Sequence, residues 1–190
     1  INYSSSFHEG LIKDGPSGAS PMLFSDSVLN APAGNVSNYF RIKGPVHTLI
    51  GGSTSFIEAI ILGNSLLNSG KIECCFIGAA EELNEIVFNT YLRLGYDFPL
   101  GEGAGMILLE RYEDAVRRKH KVYGIIKQSV SRFSGKTRID DSDVVERCLQ
   151  IAGVSDIGNI FTNSSVGAKK VISKFPGGNI KIINTSLLFG

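Results

Sequence analysis

The chain has 190 residues, which is enough for one ordinary domain or for one half of a larger fold. With 43% apolar and 19% charged residues it is expected to be globular, and a net charge of +1 leaves no basic excess to neutralise a nucleic-acid backbone. No apolar run reaches the roughly 18 residues that a membrane span needs, so disordered, nucleic-acid-binding and membrane-spanning classes are excluded.

The three cysteines and three histidines form neither a disulfide framework nor a cluster with metal-ligand spacing. We therefore expect a reducing, cytoplasmic location and no metal, and the sequence identifies no cofactor. The N-terminus has no signal-peptide pattern. Because the chain begins with Ile1 rather than Met, we expect a processed, trimmed or fragmentary polypeptide.

The first 50 residues contain many turn-forming residues. Residues 1–21 predict a short helix followed by a loop at Asp14–Gly18, and residues 22–45 predict short helices joined by loops. Val46–Ile50 is a short run that favours a strand.

The sharpest pattern is a Gly-Gly turn followed by an apolar helix. Ser53 and Thr54 are favourable N-cap residues, and Gly70 lies where a helix would end. The apolar positions of Phe56–Leu67 lie on nearly all sides of this helix, which predicts that it is buried.

Strands and helices alternate along the rest of the chain, and this alternation predicts the α/β class. The predicted strands are Ile72–Ile77 and Met106–Leu109, both buried, then Val122–Val130, Asn159–Thr162 and Ile180–Ile183. The predicted helices are residues 85–94, Glu113–Lys119, Asp140–Ile151 and Ala168–Ser173. In the second of these helices, Ala115 and Val116 are expected to face inward.

Ser53 has two interpretations. A side chain at a strand-to-helix turn lies at the positive end of the helix dipole, which suits a nucleophile whose attack creates an oxyanion. Alternatively, Ser53 is simply an N-cap. A serine-hydrolase elbow is disfavoured, because Gly51–Ser55 lacks the final glycine of G-x-S-x-G and the only later histidine, His120, lies in a basic run.

Other candidate residues have structural explanations. Gly101–Gly105 precedes a predicted strand, whereas a dinucleotide fingerprint needs a following helix. Cys74 and Cys75 are interpreted as small apolar fillers of a buried strand, and His47 as a polar residue at the end of a strand. The Glu81–Glu82 pair is either exposed or holds a structural hydrogen bond, and the sequence leaves both possibilities open.

Residues 20–125 resemble the β-ketoacyl synthase family of condensing enzymes, and the rest of the chain resembles it more loosely. The matching segments occur in family order: Ser20-Pro21, Asn30–Gly34, Ser37, Gly44-Pro45, Gly52-Ser53, Gly78–Glu81 and Leu100–Gly105 with the strand up to Glu110. The resemblance implies an α/β, thiolase-like fold with layers α-β-α-β-α, present here in part. It also implies an N-terminal half at residues 1–131, lacking its first strand-helix-strand, and the start of a C-terminal half at 132–190.

The resemblance also assigns three site positions. The family's cysteine nucleophile corresponds to Ser53, its first histidine to Asn163 and its lysine to Ser186. The second histidine and the Gly-Phe-Gly loop would follow Gly190. A serine without a base is a weak nucleophile, and groups that act as a unit leave little activity when several are replaced.

These replacements lead to two functional hypotheses. The first is a non-catalytic subunit of the chain-length-factor type that pairs with an active ketosynthase and works with an acyl carrier protein in type II polyketide or fatty-acid-like biosynthesis. Under this first hypothesis the subunit forms either a heterodimer with the active ketosynthase or a homodimer. The second is an acyltransferase or condensing enzyme that uses Ser53 to accept an acyl group. Because many chain-length factors carry glutamine at the nucleophile position, Ser53 departs from that subfamily.

Overall fold

The computed structural model describes residues 2–51, 54–95, 100–131, 141–153, 159–162 and 181–184. These residues form α1 (Asn2–Asp14), α2 (Pro21–Ser27), α3 (Ala31–Tyr39), α4 (Ser55–Asn68), β1 (Cys74–Glu81), α5 (Glu85–Arg93), β2 (Gly103–Glu110), α6 (Tyr112–Arg117), α7 (Asp141–Ala152), β3 (Asn159–Thr162) and β4 (Lys181–Asn184), with a 3-10 turn at Gly15–Gly18. The chain divides into two compact units, Ile1–Ser55 with Glu82–Leu94, and Phe56–Glu81 with Gly95–Gly190.

In the first unit, α1 folds back against the segment that follows it. Gly15 takes a left-handed φ of +63°, which turns the chain at the end of α1. The 3-10 turn then brings Gly18 against Gly10, with no room for a side chain at either position. Phe7 and Phe24 join α1 to α2, with their ring centroids 5.6 Å apart. The predicted short helices and loops of residues 1–45 are therefore confirmed.

Local capping fixes where the helices of the first unit begin. Ser20 is the N-cap of α2, where its hydroxyl accepts a hydrogen bond from the Leu23 N–H and Pro21 occupies the first turn. Asn84 caps α5 in the same way by accepting from the Val87 N–H at 2.9 Å. Asn84 also donates to the Asn2 side chain, so the beginnings of α1 and α5 are joined.

The second unit contains an antiparallel ladder of β1 and β2, in which Phe76 lies opposite Leu108 and Gly78 opposite Met106. One face of the ladder packs on α4. The buried apolar residues of the described chain all belong to this unit: Ile60, Leu67, Ile77 and Ala115. On the other face, Phe76, Met106 and Leu108 are exposed. Side chains alternate between the faces of a strand, so the core of this unit lies on the α4 side of the ladder.

Farther along the chain, β3 and β4 form a parallel pair, with Asn159 opposite Lys181 and Thr162 opposite Asn184. The strand predicted at Asn159–Thr162 has the observed bounds, and β4 begins one residue later than predicted. The helix predicted at Asp140–Ile151 is α7, shifted by one residue. The helix predicted at Ala168–Ser173 lies outside the described residues.

Two strand predictions are wrong. Val46–Ile50 and Val122–Val130 have no regular secondary structure, and neither belongs to a ladder among the described residues. Both runs have β-branched and aromatic residues suited to a strand, but a strand also needs a hydrogen-bonded neighbour. The described part of the chain provides no such neighbour to either run.

The predicted burial is also wrong at several positions. In α4, Ile57 is 46% exposed, so this helix buries one stripe rather than all its sides. In β1 only Ile77 is buried, and Cys74 is exposed. In α6, Ala115 is buried as predicted but Val116 is 54% exposed. A single helix covers a single face of a two-stranded ladder, which leaves the apolar residues of the other faces in contact with solvent.

Candidate functional site

The turn that leads into α4 is the region to which the family resemblance assigns the nucleophile position. Ser53 itself lies outside the described residues, as do Asn163 and Ser186, so their assignment stays a prediction. The residues on either side of Ser53 are described. A Cβ on Gly51 would come within 2.8 Å of the Ser55 Oγ, so a side chain at Gly51 would require the Ser55 hydroxyl to take another rotamer.

The start of α4 bears on the two interpretations of Ser53. The helix begins at Ser55, and the residue directly before it is Thr54. By the same definition that makes Ser20 and Asn84 the caps of their helices, the N-cap position of α4 falls on Thr54. Ser53 therefore precedes the cap position by one residue along the sequence.

Close packing fixes α4 against β1. Gly63 is buried in the middle of the helix, where a Cβ would come 2.8 Å from the Ile77 Cδ1 and 3.1 Å from the Cys75 Sγ. Glycine inside a helix is about 1 kcal/mol less favourable than alanine, so its presence here reflects the close approach of the strand. The helix then ends as predicted at Gly70, which has a φ of +70° and donates its N–H to the Leu67 carbonyl.

We expect Gly63→Ala to lower the free energy of unfolding by about 1 kcal/mol, because the added methyl meets the buried end of Ile77. Ile77→Val removes that Cδ1 atom. In the Ile77→Val background, Gly63→Ala should therefore cost less than in the wild type, since the closest contact is gone and only the Cys75 Sγ, at 3.1 Å, still opposes the helix propensity of alanine. Urea unfolding of the two single variants and the double variant measures the coupling. Additive effects would contradict the contact.

The two adjacent cysteines have different surroundings. Consecutive residues of a strand face opposite sides, so Cys74 is exposed while Cys75 is half-buried against α4. Burial raises the pKa of the Cys75 thiol, and the neighbouring Cys74 raises it further. Because the thiolate is the reactive form, Cys75 is a poor nucleophile at neutral pH. The apolar-filler interpretation fits Cys75 and is wrong for Cys74.

The remaining candidates also occupy structural positions. Glu82 accepts a hydrogen bond from the Asn2 amide at 2.5 Å, so it holds a structural hydrogen bond. Glu81 is exposed. The strand β2 begins at Gly103, so the glycine run leads into a strand, as predicted, and not into the helix that a dinucleotide site needs. His47 is exposed in extended chain rather than at the end of a strand. None of these side chains forms part of a metal-binding group among the described residues.

Sequence reasoning missed a cluster of charged side chains at the carboxyl end of α4. Asp114 is buried in α6 and accepts hydrogen bonds from Arg111 Nε at 2.8 Å and from Arg117 at 2.6 Å. Arg111 also donates to the carbonyl oxygens of Leu67, in α4, and Ile72, in the segment before β1. The signal in the sequence is the spacing of three between Arg111, Asp114 and Arg117, which places the arginines near the carboxylate around one short helix.

A second group of charges surrounds Glu110. Its carboxylate, with 9% of the side chain exposed, lies 2.7 Å from His120 Nδ1 and 3.1 Å from Arg118. Arg118 also contacts Glu73 at 3.0 Å. His120 is exposed just after the end of α6 and contacts an acidic partner on the neighbouring strand, so it has a structural role in the turn.

The chain is similar in sequence to known polyketide synthases and 3-oxoacyl-[acyl-carrier-protein] synthases. No family model matches the chain. A highly reducing polyketide synthase of Aspergillus terreus is 28% identical over 148 residues, covering 70% of this chain and 6% of that protein. The 3-oxoacyl-[acyl-carrier-protein] synthase 2 of Vibrio harveyi is 28% identical over 137 residues, covering 61% of this chain and 33% of that synthase. The chain is therefore similar in sequence to β-ketoacyl synthases.

Solved ketosynthase structures have the same fold. A type II polyketide ketosynthase in complex with its acyl carrier protein matches with a TM-score of 0.78 and 16% identity, over 97% of this chain and 57% of that one. The ishigamide ketosynthase/chain length factor matches with a TM-score of 0.68 and 18% identity, over 90% of this chain and 51% of that one. The predicted thiolase-like α/β fold is therefore confirmed, and this ketosynthase-like chain represents part of it.

The ketosynthase-like chain spans about a third of the length of the Vibrio synthase and a much smaller fraction of the multidomain polyketide synthase. Within the ranges that the structure describes, no helix is both long and apolar enough to cross a bilayer. The sequence relatives reported above are polyketide synthases and 3-oxoacyl-[acyl-carrier-protein] synthases.

Proposed function

We propose that this chain is a non-catalytic ketosynthase-like subunit of the chain-length-factor type, which pairs with an active β-ketoacyl synthase. The proposal rests on the residues at the three site positions that the family resemblance assigns: Ser53 in place of cysteine, Asn163 in place of histidine and Ser186 in place of lysine. One of the structural neighbours, the ishigamide complex, is described as a ketosynthase/chain length factor, which is compatible with this role.

The chemistry of these replacements supports a non-catalytic role. A cysteine thiolate at the start of a helix is a strong nucleophile, whereas a serine hydroxyl needs an adjacent base. The chain contains only three histidines. His8 lies 2.7 Å from the Ser4 carbonyl oxygen and His120 contacts Glu110, so two of the three have structural partners of their own. Asparagine at 163 can donate a hydrogen bond but cannot accept a proton at neutral pH.

Incubation with acyl carrier protein thioesters and with acyl-CoA, followed by intact-mass measurement, tests the proposal. We expect no acyl adduct on the wild-type chain under conditions in which an active ketosynthase becomes acylated. We also expect co-expression with the ketosynthase of the same biosynthetic system to give a stable complex. The Ser53→Ala variant is the control, and it should form the same complex because it alters only the proposed nucleophile position.

The alternative function, acyl transfer through Ser53, makes the opposite prediction. It rests on the position of Ser53 just before α4, where backbone N–H groups at the helix start can stabilise an oxyanion. An acyl adduct that is present in the wild type and absent in Ser53→Ala would overturn the non-catalytic proposal. The division into halves at residues 131 and 132 belongs to the same proposal, and co-expression of the two separated segments would test it.

A further inference from the structure

The β1–β2 ladder has one face that no described part of the chain covers. Consecutive residues of a strand point to opposite sides, so this face carries every second residue of each strand, on the side away from Ile77 and α4. It consists of three cross-strand pairs: Phe76 with Leu108, Gly78 with Met106, and Ala80 with Ala104. We name these six residues the open face.

The three large side chains of the open face are exposed to solvent. Phe76 has 58% of its surface exposed, Met106 has 57% and Leu108 has 47%. Contact between water and a contiguous apolar surface is unfavourable, and such a patch on a folded protein marks a binding surface. A sheet buries a face of this kind by stacking on a second layer.

The open face is raised at one end and flat at the other. The pair Phe76–Leu108 forms the raised end, and the pair Ala80–Ala104 forms the flat end. Between them, the Met106 side chain lies across Gly78, with its Cε 3.7 Å from the position of a Cβ on Gly78. A two-fold axis through this middle pair would set the raised end of one copy on the flat end of another. The surface is thus complementary to itself.

The raised end lies beside a region of net positive charge. Glu110 follows the raised end along β2 and contacts Arg118 and His120, which brings the turn after α6 to this end. Residues 71–75 and 108–121 together contain six lysine and arginine residues and four carboxylates. Their net charge is therefore +2 with histidine neutral.

The flat end lies beside a region of negative charge. Residues 78–81 and 100–106 contain two exposed carboxylates, Glu81 and Glu102, and no basic residue. Their net charge is therefore −2. The exposed Glu58 is on α4, the helix that covers the other face of the ladder. The same two-fold arrangement that fits raised end to flat end would bring each positive end to a negative end.

We propose that the open face binds the open face of a second copy of this chain, with the raised end of each copy on the flat end of the other. The contact would remove Phe76, Met106 and Leu108 of both copies from water, and burial of apolar surface is the main favourable term in such an association. A stack with like ends together would oppose raised end to raised end and positive charge to positive charge, so the direction is specified. This contact does not depend on the proposed function.

Disulfide trapping tests the position of the two-fold axis. Met106 lies next to the axis, so we expect Met106→Cys, in a Cys74→Ser/Cys148→Ser background, to give at least about tenfold more cross-linked dimer than a matched control after mild oxidation with copper phenanthroline. The control is Ile57→Cys in the same background, since Ile57 is 46% exposed on the helix at the other side of the ladder. Equal cross-linking of both variants, or none of Met106→Cys, would overturn the proposal.

Analytical ultracentrifugation measures the association itself. We expect a wild-type dimer and a dissociation constant at least about tenfold higher for Met106→Glu, because the dimer would bury the new carboxylate without a partner. Ile57→Glu makes the same change on α4 and should alter the constant by less than about twofold. Circular dichroism of both variants checks that they fold. A wild-type chain that is monomeric at about 0.1 mM, or a dimer that Met106→Glu leaves intact, would overturn the proposal.

A charge exchange tests the direction of the stack. Lys119→Glu/Lys121→Glu should raise the dissociation constant by about fivefold at low salt, because like charges then meet at both ends. Adding Glu81→Lys/Glu102→Lys to the same chain should restore the wild-type constant, since each end again meets its opposite. Weakening by the first pair without restoration by the second would overturn the two-fold arrangement.

Discussion

Arg111→Met is expected to lower the free energy of unfolding by about 3 kcal/mol. The buried carboxylate of Asp114 is paired with Arg111 and Arg117, and the substitution removes Arg111, the less exposed of the two. The same substitution removes the hydrogen bonds to the carbonyl oxygens of Leu67 and Ile72. A helix end that loses such a donor exposes unsatisfied carbonyl groups. Urea unfolding, followed by circular dichroism, measures the change.

Arg117→Met provides a matched control, since Arg117 binds the same carboxylate at 2.6 Å. Its side chain is 71% exposed, compared with 36% for Arg111, and within the described residues its hydrogen bond stays inside α6. An exposed ion pair contributes about 0.5 kcal/mol, so the control should unfold at nearly the wild-type urea concentration. Equal destabilisation by the two substitutions would show that burial and the carbonyl contacts of Arg111 are unimportant.

Gly10→Ala is expected to destabilise the first unit by about 2 kcal/mol, although Gly10 lies inside α1. A Cβ at this position would come 2.6 Å from the Gly18 carbonyl oxygen. The obstacle is backbone, so no change of rotamer relieves it. Helix propensity alone predicts the opposite result, a gain of about 1 kcal/mol. The sign of the measured change therefore decides whether packing or propensity governs the position.

Gly34→Ala is the control for this prediction. Gly34 also lies inside a helix, α3, but a Cβ there would have no neighbour within 4 Å. We expect this substitution to raise the free energy of unfolding by about 0.5–1 kcal/mol. Thermal unfolding of both variants gives the comparison directly. Stabilisation by Gly10→Ala as well would contradict the close approach of Gly10 and Gly18.

Local sequence signals determined most of the helices and strands. The apolar positions of α4 and the glycine after it predicted the helix to within a residue or two, because periodicity and a left-handed C-terminal glycine act within a few residues of the chain. The bounds of β3 were also predicted correctly. The three site positions, Ser53, Asn163 and Ser186, came from the resemblance rather than from such signals, and they stay predictions.

Interactions between distant segments were decided only by the tertiary structure. Val46–Ile50 and Val122–Val130 have strand-like sequences, but a strand forms only where another segment offers hydrogen bonds. The partners of Arg111 in α4 and before β1 lie 44 and 39 residues away along the chain. The sequence determined which segments are helical, whereas tertiary packing decided which apolar and charged groups are buried, because burial depends on neighbours that no local pattern specifies.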